Sequence, residues 1–433
     1  MADVCVIGLG YVGLPTACLL ANTGLDVLGV DSDATRVEAL AAGETHLGEA
    51  GLDVLVSAAF KSGNLRAAVN PEPSDVYIIC VPTPVTPEKS VDLSSVEDAA
   101  RSVAELVKPR DLVVLESTSP VGTTRNRVGR ILSGSGMEPG RDFALCYCPE
   151  RVLPGNTVAE LVSNDRVIGG LTPKCAERAA ELYGRFCTGR IVLSDDITAE
   201  MCKLFENASR DVNIALANTF SRLAEAAGGD VWRAIELANL HPRVKILSPG
   251  PGVGGHCIPV DPWFLIEAHP EAAGLLREAR AVNEGQPVLM LDRMMAEGLA
   301  PGGAGGKLAV LGVAYKANID DPRESPAFGL AREAAARGFD LALHDPLVRP
   351  GHYDGFDVGR DLGGCLAGAA AAAVMVDHES YRALGPDDFR AMSGTLISDA
   401  RNCLDHGALR AAGFAVLVLG VGLPETGNRA PGQ

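Results

Sequence analysis

The chain has eleven cysteines but no Cys-x-x-Cys pair. They stand at positions 5, 18, 80, 146, 148, 175, 187, 202, 257, 365 and 403, an odd number. Most lie in apolar runs, such as Val4-Cys5-Val6-Ile7 and Ile78-Ile79-Cys80-Val81. That pattern argues against a disulfide framework or a zinc site and predicts buried thiols in a reducing compartment. No apolar run reaches the roughly 20 residues that span a bilayer, so no membrane segment is expected. The start, Met1-Ala2-Asp3-Val4, has no basic region before its first apolar run. No signal peptide and a cytoplasmic location are therefore expected. Positive charge is also scarce: 38 Lys and Arg stand against 55 Asp and Glu, for a net charge of -17. This argues against a nucleic-acid backbone as partner. An anionic ligand would need a local basic pocket. Aromatic residues make up only 5% of the 433 residues, but 47% are hydrophobic, enough to bury the cores of two or three domains.

Glycine and proline are concentrated in one stretch, with glycines at 250, 252, 254 and 255 and prolines at 251, 259 and 262. Glycine lets backbone approach a ligand, and proline fixes φ, so the loop is shaped rather than slack. It holds a single thiol, Cys257, with His256 beside it and Asp261 four residues on. A thiol beside a cation can be held as thiolate, the nucleophilic form. A tight turn around a small buried cysteine fits the loop alone equally well.

Val4-Cys5-Val6-Ile7 reads as a buried parallel strand. Gly8-Leu9-Gly10-Tyr11-Val12-Gly13 follows at once, then a helical run from Leu14 to Thr23 and a second strand ending in Asp31. Strand, GxGxxG, helix and an acid about 20 residues on make a dinucleotide-binding fingerprint. Its glycines make the turn, and pyrophosphate sits at the helix N-terminus. Asp31 suits ribose hydroxyls and repels a 2′-phosphate, which favours NAD, although Arg36 is close in sequence. Further strands, Asp75–Val81, Asp111–Glu116 and Phe143–Tyr147, recur at βαβ spacing. Beyond their carboxyl ends, where ligands bind in such sheets, come Thr83, Thr118, Glu150 and Arg151. Each alone is equally good turn chemistry.

Residues 198–227 carry helical periodicity without Pro or Gly, with Thr198 as the expected cap. Lys203, Asn207 and Arg210 are spaced to share one face, which lines a cavity or interface unless it is merely solvated. His241 and Arg243 precede the cysteine loop as possible anion contacts or ordinary surface. The glycine-rich stretch from Pro301 to Gly306 reads as a hinge. After it the α/β pattern restarts with strands Leu308–Val313, Leu341–His344, Ala371–Val376, Leu396–Asp399 and Phe414–Leu419. This second doubly wound domain lacks GxGxxG. Lys316, Arg323 and Arg401 follow its strands and suit a phosphate-bearing ligand. The tail Glu425–Gln433 reads as disordered.

Taken together, Gly8–Thr16, Val81–Pro84, Glu116–Thr124, Cys148–Gly155, Thr198–Asn213, Gly250–Pro262 and Gly312–Pro326 resemble the UDP-sugar 6-dehydrogenase family along nearly the whole chain. The resemblance implies an α/β fold of two Rossmann-like doubly wound domains joined by a long central helix. It implies an NAD-binding domain over 1–195, a helical dimerisation and catalytic-loop region over 196–295, and a UDP-sugar domain over 296–433. Such enzymes oxidise C6 of a UDP-sugar to a carboxylate with two NAD+. Glucose-type members usually carry lysine where Val260 stands, so the chain resembles the 2-acetamido-sugar branch, with Arg401 where that branch often has lysine. The expected substrate is UDP-N-acetyl-D-mannosamine, with UDP-N-acetyl-D-glucosamine and, less well matched, UDP-glucose as alternatives.

By the same resemblance Cys257 is the nucleophile, Lys203 the acid/base or oxyanion partner and Asn207 an oxyanion donor. Asp261 and Glu150 are candidates for handling protons and water. Gly8, Gly10, Tyr11, Val12, Gly13, Asp31, Arg36, Thr83, Thr118 and Arg323 are expected at NAD. Arg151, Val152, Lys203, Asn207, Arg210, His241, Arg243, Gly254, Tyr315, Lys316 and Arg401 are expected at the UDP-sugar. A homodimer through the central helix is implied, with some contacts crossing subunits. Two other classes remain open. A non-catalytic UDP-sugar sensor would have no use for Cys257, Lys203 and Asn207. A two-electron β-hydroxyacid dehydrogenase would need neither Cys257 nor the second domain.

Overall fold

A computed structural model describes residues 2–45, 47, 51–86, 88–152, 155–302 and 306–422. The tail Glu425–Gln433 and residues 303–305 of the expected hinge lie outside these. The chain forms two compact units: Met1–Glu206 with Trp263–Pro270, and Asn207–Pro262 with Glu271–Gln433.

The first unit is built on eight strands: β1 (Ala2–Ile7), β2 (Val27–Val30), β3 (Leu65–Ala68), β4 (Ser74–Ile79), β5 (Leu112–Leu115), β6 (Ala144–Tyr147), β7 (Arg166–Gly170) and β8 (Ile191–Asp195). Their order is β3-β2-β1-β4-β5-β6-β7-β8, with only β6 and β7 antiparallel. The apolar run of β1 is explained by burial on both faces. Val4 and Val6 enter one core cluster, Cys5 and Ile7 the other. The chain leaves β1 toward β2 and β3, then returns to β4 on the other side. The crevice of such a sheet lies at that reversal, beyond the carboxyl ends of β1 and β4.

The second unit repeats the scheme with β9 (Lys307–Leu311), β10 (Asp340–His344), β11 (Gly351–Tyr353), β12 (Phe356–Gly359), β13 (Ala371–Val374), β14 (Leu396–Asp399) and β15 (Ala415–Val418). The order is β11-β12-β10-β9-β13-β14-β15, antiparallel only between β11 and β12. Again alternate residues feed opposite faces: Leu308 and Val310 one cluster, Ala309 and Leu311 the other. The reversal here lies between β9 and β13.

The long helix is Asp196–Ala226, 31 residues. It starts two residues before the expected cap. Asp195 accepts from the Thr198 amide at 2.9 Å and from its hydroxyl at 2.7 Å. Thr198 is thus a donor inside the first turn, not the cap, because the carboxylate one turn earlier is the stronger acceptor.

The glycines of the first turn differ in what they tolerate. A Cβ on Gly13 would sit 1.9 Å from the Gly8 carbonyl oxygen, whereas a Cβ on Gly10 would meet nothing within 4 Å. Gly13→Ala is therefore expected to lower the melting midpoint by several degrees. Gly10→Ala should leave the midpoint within about a degree yet weaken dinucleotide binding at least tenfold, since the added methyl enters the ligand's space. Thermal melts with and without NAD+ check both; equal behaviour of the two variants would contradict the assignment.

Candidate active site

In the first unit the glycine turn is fixed by its neighbours. The Gly8 amide donates to the Val30 carbonyl at 2.7 Å, and the φ of Gly8 is 95°. A Cβ there would approach the Cys80 carbonyl oxygen to 2.5 Å, so only glycine fits between β1 and β4. Asp31, 7% exposed, stands immediately after β2. Its Oδ2 accepts from the Leu9 amide at 3.0 Å and from Arg36 at 3.4 Å, and its Oδ1 from the Asp33 amide at 3.0 Å. Arg36, expected at the cofactor, therefore lies against the Asp31 carboxylate. Tyr11 is 39% exposed at the turn.

The loops after β4 and β5 are joined. The Thr83 hydroxyl donates to the Thr118 carbonyl at 2.7 Å, and the Ser117 hydroxyl to the Val81 carbonyl at 2.7 Å. Thr83 and Thr118, both expected at NAD by resemblance, are thus bonded directly to each other.

After β6 comes Glu150. Its carboxylate accepts from the Val152 amide. Burial pushes the Glu150 carboxyl up, opposed chiefly by the charge of Lys203. Lys203 is itself buried, on the helix Asp196–Ala226. Arg151 pairs with Glu206 at 2.6 Å and donates to the Asp165 carbonyl at 2.9 Å.

In the second unit, Cys257 lies half-buried near the end of the glycine loop. Its carbonyl accepts from the amides of Val260 and Asp261 at 3.1 and 2.9 Å. These bonds lead directly into the helix Asp261–Ala268. Asp261 is buried and accepts from Asn207 Nδ2 at 2.6 Å. The backbone of the expected nucleophile and the side chain of Asn207 are thus tied to one aspartate. The Gly255 amide donates to the Arg323 carbonyl at 3.0 Å. A Cβ on Gly254 would reach Tyr315 Cβ at 2.8 Å, and one on Gly250 would reach Arg401 Nη1 at 2.5 Å. Glycines therefore let the loop close over Tyr315 and Arg401. Arg401 is held by Asp377 at 3.1 Å, and Arg323 by Asp321 at 2.6 Å. Lys316 is exposed. Arg210, His241 and Arg243 are exposed as well, so the expected row from Lys203 to Arg210 runs from interior to surface.

Residues 2–187 match the NAD binding domain of the UDP-glucose/GDP-mannose dehydrogenase family, 197–285 its central domain and 309–406 its UDP binding domain. The chain is 46% identical over 395 residues to an NDP-N-acetyl-D-galactosaminuronic acid dehydrogenase of Ralstonia nicotianae, covering 89% of this chain and 92% of that one. It is 42% identical over 429 residues to a UDP-N-acetyl-D-mannosamine dehydrogenase of Methanocaldococcus jannaschii, covering 97% and 96%. A solved UDP-D-ManNAc dehydrogenase of Pyrococcus horikoshii superposes with a TM-score of 0.89 at 39% identity, over 97% and 99%. The chain belongs to the UDP-glucose/GDP-mannose dehydrogenase family.

As a member of that family it is an oxidoreductase whose cofactor is NAD. The turn fits this cofactor: Gly10 leaves open space, Gly8 and Gly13 pack their backbones too closely for a side chain, and the acid Asp31 follows β2. Among the described residues no helix is long and apolar enough to cross a membrane, and no cluster could hold a metal ion.

Glu200 was visible in the sequence only as an acid near a helix start, and its partners lie some seventy residues away. It is buried. One oxygen accepts from the Thr124 amide at 2.8 Å and its hydroxyl at 2.6 Å, the other from the Gly122 amide at 2.5 Å. Glu200 therefore clamps the loop beyond Thr118 to the helix that carries Lys203. Burial pushes its carboxyl up to about 7 from 4.5, against the pull of those bonds. The raised value makes the protonated form the favoured one in the fold. The stability it contributes is whole below about pH 4.5 and is lost as pH rises through about 7. Glu200→Gln is expected to flatten this part of the pH–stability curve, a change on the order of 3 kcal/mol between the limits. Denaturant titrations at pH 5 and pH 8 measure it, and an unchanged slope in the variant would show Glu200 ionised at both.

Proposed function

We propose that the chain oxidises C6 of UDP-N-acetyl-D-mannosamine to the carboxylate, with Cys257 as covalent nucleophile. The observation that carries this reading is the Cys257 loop: a thiol whose own carbonyl starts a helix headed by Asp261, which in turn holds Asn207. A primary alcohol cannot reach a carboxylate by one hydride transfer. NAD+, which the Gly8–Gly13 turn and Asp31 would hold, would supply the hydride acceptor for each of the two oxidations. In the first, the hydroxyl proton leaves to a base and the aldehyde forms. The Cys257 sulfur then adds to the aldehyde carbon, and the oxygen takes a proton, giving a thiohemiacetal. The second oxidation removes hydride and that proton, leaving a thioester. Water adds to the acyl carbon, the C–S bond breaks, the thiol is restored, and the carboxylate forms with release of a proton.

Lys203 and Asn207 supply charge and a hydrogen bond to the oxygen as it becomes anionic; such a donor is worth roughly 3–4 kcal/mol in a transition state. The carboxyl of Glu150, raised by burial, suits handling of the proton and of water. Tyr315, Lys316, Arg401 and Gly254 support a diphosphate-bearing ligand, with Arg151, Val152, Arg210, His241 and Arg243 as further contacts. Exposed Phe205, Leu216 and Leu223 on the long helix support a homodimer. Eleven cysteines without a disulfide support a cytoplasmic location.

Cys257→Ser is expected to complete the first oxidation and stall, because a serine alkoxide forms poorly and its ester leaves poorly. NADH yield should fall from two per sugar toward one. Full turnover by Cys257→Ala would remove covalent catalysis.

The mannosamine assignment is supported by the names of the Methanocaldococcus and Pyrococcus relatives and by Val260. The Ralstonia relative carries a galactosaminuronic name, so the panel includes that epimer. A pocket that bonds the acetamido group rejects a hydroxyl analogue by roughly 1–3 kcal/mol for each polar group left unpaired. UDP-glucose should therefore have the lowest kcat/KM and UDP-N-acetyl-D-mannosamine the highest, above the N-acetylglucosamine and N-acetylgalactosamine nucleotides. A higher value for either epimer overturns the sugar and leaves the reaction standing.

A further inference from the structure

The second unit buries a relay of polar side chains beneath the start of the cysteine loop. Asp211, Asn218, Arg280, Asn283 and Gln286 are each no more than 2% exposed. Asp211 and Asn218 lie on the helix Asp196–Ala226, and Arg280 and Asn283 on the helix Gly274–Glu284. Asp211 Oδ1 accepts from Arg280 at 2.7 Å and from Asn283 Nδ2 at 2.8 Å. Asn283 Oδ1 accepts from Asn218 Nδ2 at 2.9 Å, and Asn218 Oδ1 accepts from the Gly250 amide at 2.9 Å. The direction of this relay is forced. An ionised carboxylate only accepts, so Asn283 must turn its NH2 toward Asp211 and its oxygen toward Asn218. Asn218 must then present NH2 to Asn283, which leaves its oxygen for the Gly250 N–H. A second arm holds the other side of Gly250: Gln286 Nε2 donates to its carbonyl at 3.3 Å, and Gln286 is fixed by Arg222 at 2.8 Å. The φ of Gly252 is 130°, and a Cβ there would lie 2.9 Å from the Asn283 carbonyl oxygen.

We propose that Asn218 and Asn283 are positioning residues that set where the Cys257 loop begins and hence where its thiol is presented. The inference rests on the reading of Cys257 as nucleophile. The loop is held at Gly250 by this relay, at Gly255 by the Arg323 carbonyl and at Cys257 by the helix start. The first anchor is made by side chains, and it stands seven residues before the thiol. Releasing it lets the intervening glycines redistribute their torsions. A displacement of about 1 Å at a reacting group costs on the order of 10²-fold in rate.

The test compares Asn218→Ala, Asn283→Ala and the near-isosteric Asn218→Asp with the native chain. Alkylation of Cys257 by iodoacetamide in the folded protein is followed by mass spectrometry of its peptide, beside kcat and the KM for NAD+. Expected are an alkylation rate changed at least tenfold, kcat lowered roughly 10²-fold, and KM for NAD+ within twofold of native. A native alkylation rate and kcat in folded variants would overturn the proposal. So would a fall in activity that tracks the melting midpoint with alkylation unchanged. If the alanine variants do not fold, Asn218→Asp decides. Its carboxylate faces the Asn283 oxygen when ionised, but when protonated it restores both donor and acceptor. Its alkylation rate relative to native should therefore return toward one as pH falls; a ratio that stays at one throughout would overturn the proposal. Because alkylation reads the loop without turnover, an active Cys257→Ala would refute the nucleophile while leaving this measurement to judge the relay.

Discussion

Buried carboxylates that accept backbone amides decide where the functional loops of this protein lie. Asp399 ends β14 and is wholly buried. Its oxygens take the amides of Arg401, Cys403 and Leu404 and the ring of His406, all between 2.7 and 2.9 Å. The turn that results carries Arg401. Glu200 does the same for the loop after β5. A loop amide removed from water must find an acceptor or cost about 1–3 kcal/mol, and a charged acceptor returns more than a neutral one. Each carboxylate collects several amides at once, so it fixes a loop conformation rather than a single contact.

The two α/β units use the same device at the same place for different ends. Asp31 follows β2 and accepts from the Leu9 amide, in the turn after β1. Asp345 follows β10 and accepts from Val313 and Ala314, in the turn after β9. The two acids are topological counterparts. Asp345, however, also takes the amides of Leu347 and Val348 and the ring of His378. His378 Nδ1 accepts from the Asn318 amide at 3.0 Å, so its proton is on Nε2 and points at Asp345. With five donors and no exposure, Asp345 has no capacity left for a ribose. It holds down the loop of Tyr315 and Lys316 instead. The missing GxGxxG in the second domain thus goes with an acid converted from ligand group to strut.

The family, the paired α/β sheets and the cofactor were legible because they are written locally. Continuous apolar strands such as β1 and β13 announce burial on both faces, and the glycine turn announces itself by spacing. The strands that escaped reading are β3, β7, β8, β11 and β12; β7 ends in two glycines, and the others are short or half-exposed. β8, for example, exposes Val192 and Leu193. Thr198 was misplaced as a cap because the rule names residue types, and an aspartate three residues earlier satisfied it better. Glu200, Asn218 and Asn283 stayed silent for another reason. Their partners lie 76, 65 and 72 residues away in sequence, and helical periodicity gives a face but not what that face meets.

Burial also sets the state of most of the thiols. Burial pushes Cys5 and Cys18 up to about 12, and Cys148 and Cys365 to about 11. Cys80, Cys146, Cys202 and Cys403 are raised by burial too. At neutral pH these groups stay as thiols and act as small apolar side chains. The cause is their packing among other side chains, which removes water from the sulfur. Cys257 stands instead between His256 and Ile258, half-buried on a loop outside any strand or helix. A nucleophilic sulfur needs an approach path as much as a charge. Close packing shuts off the thiols it buries, and the half-buried Cys257 stands on the loop that the glycines shape.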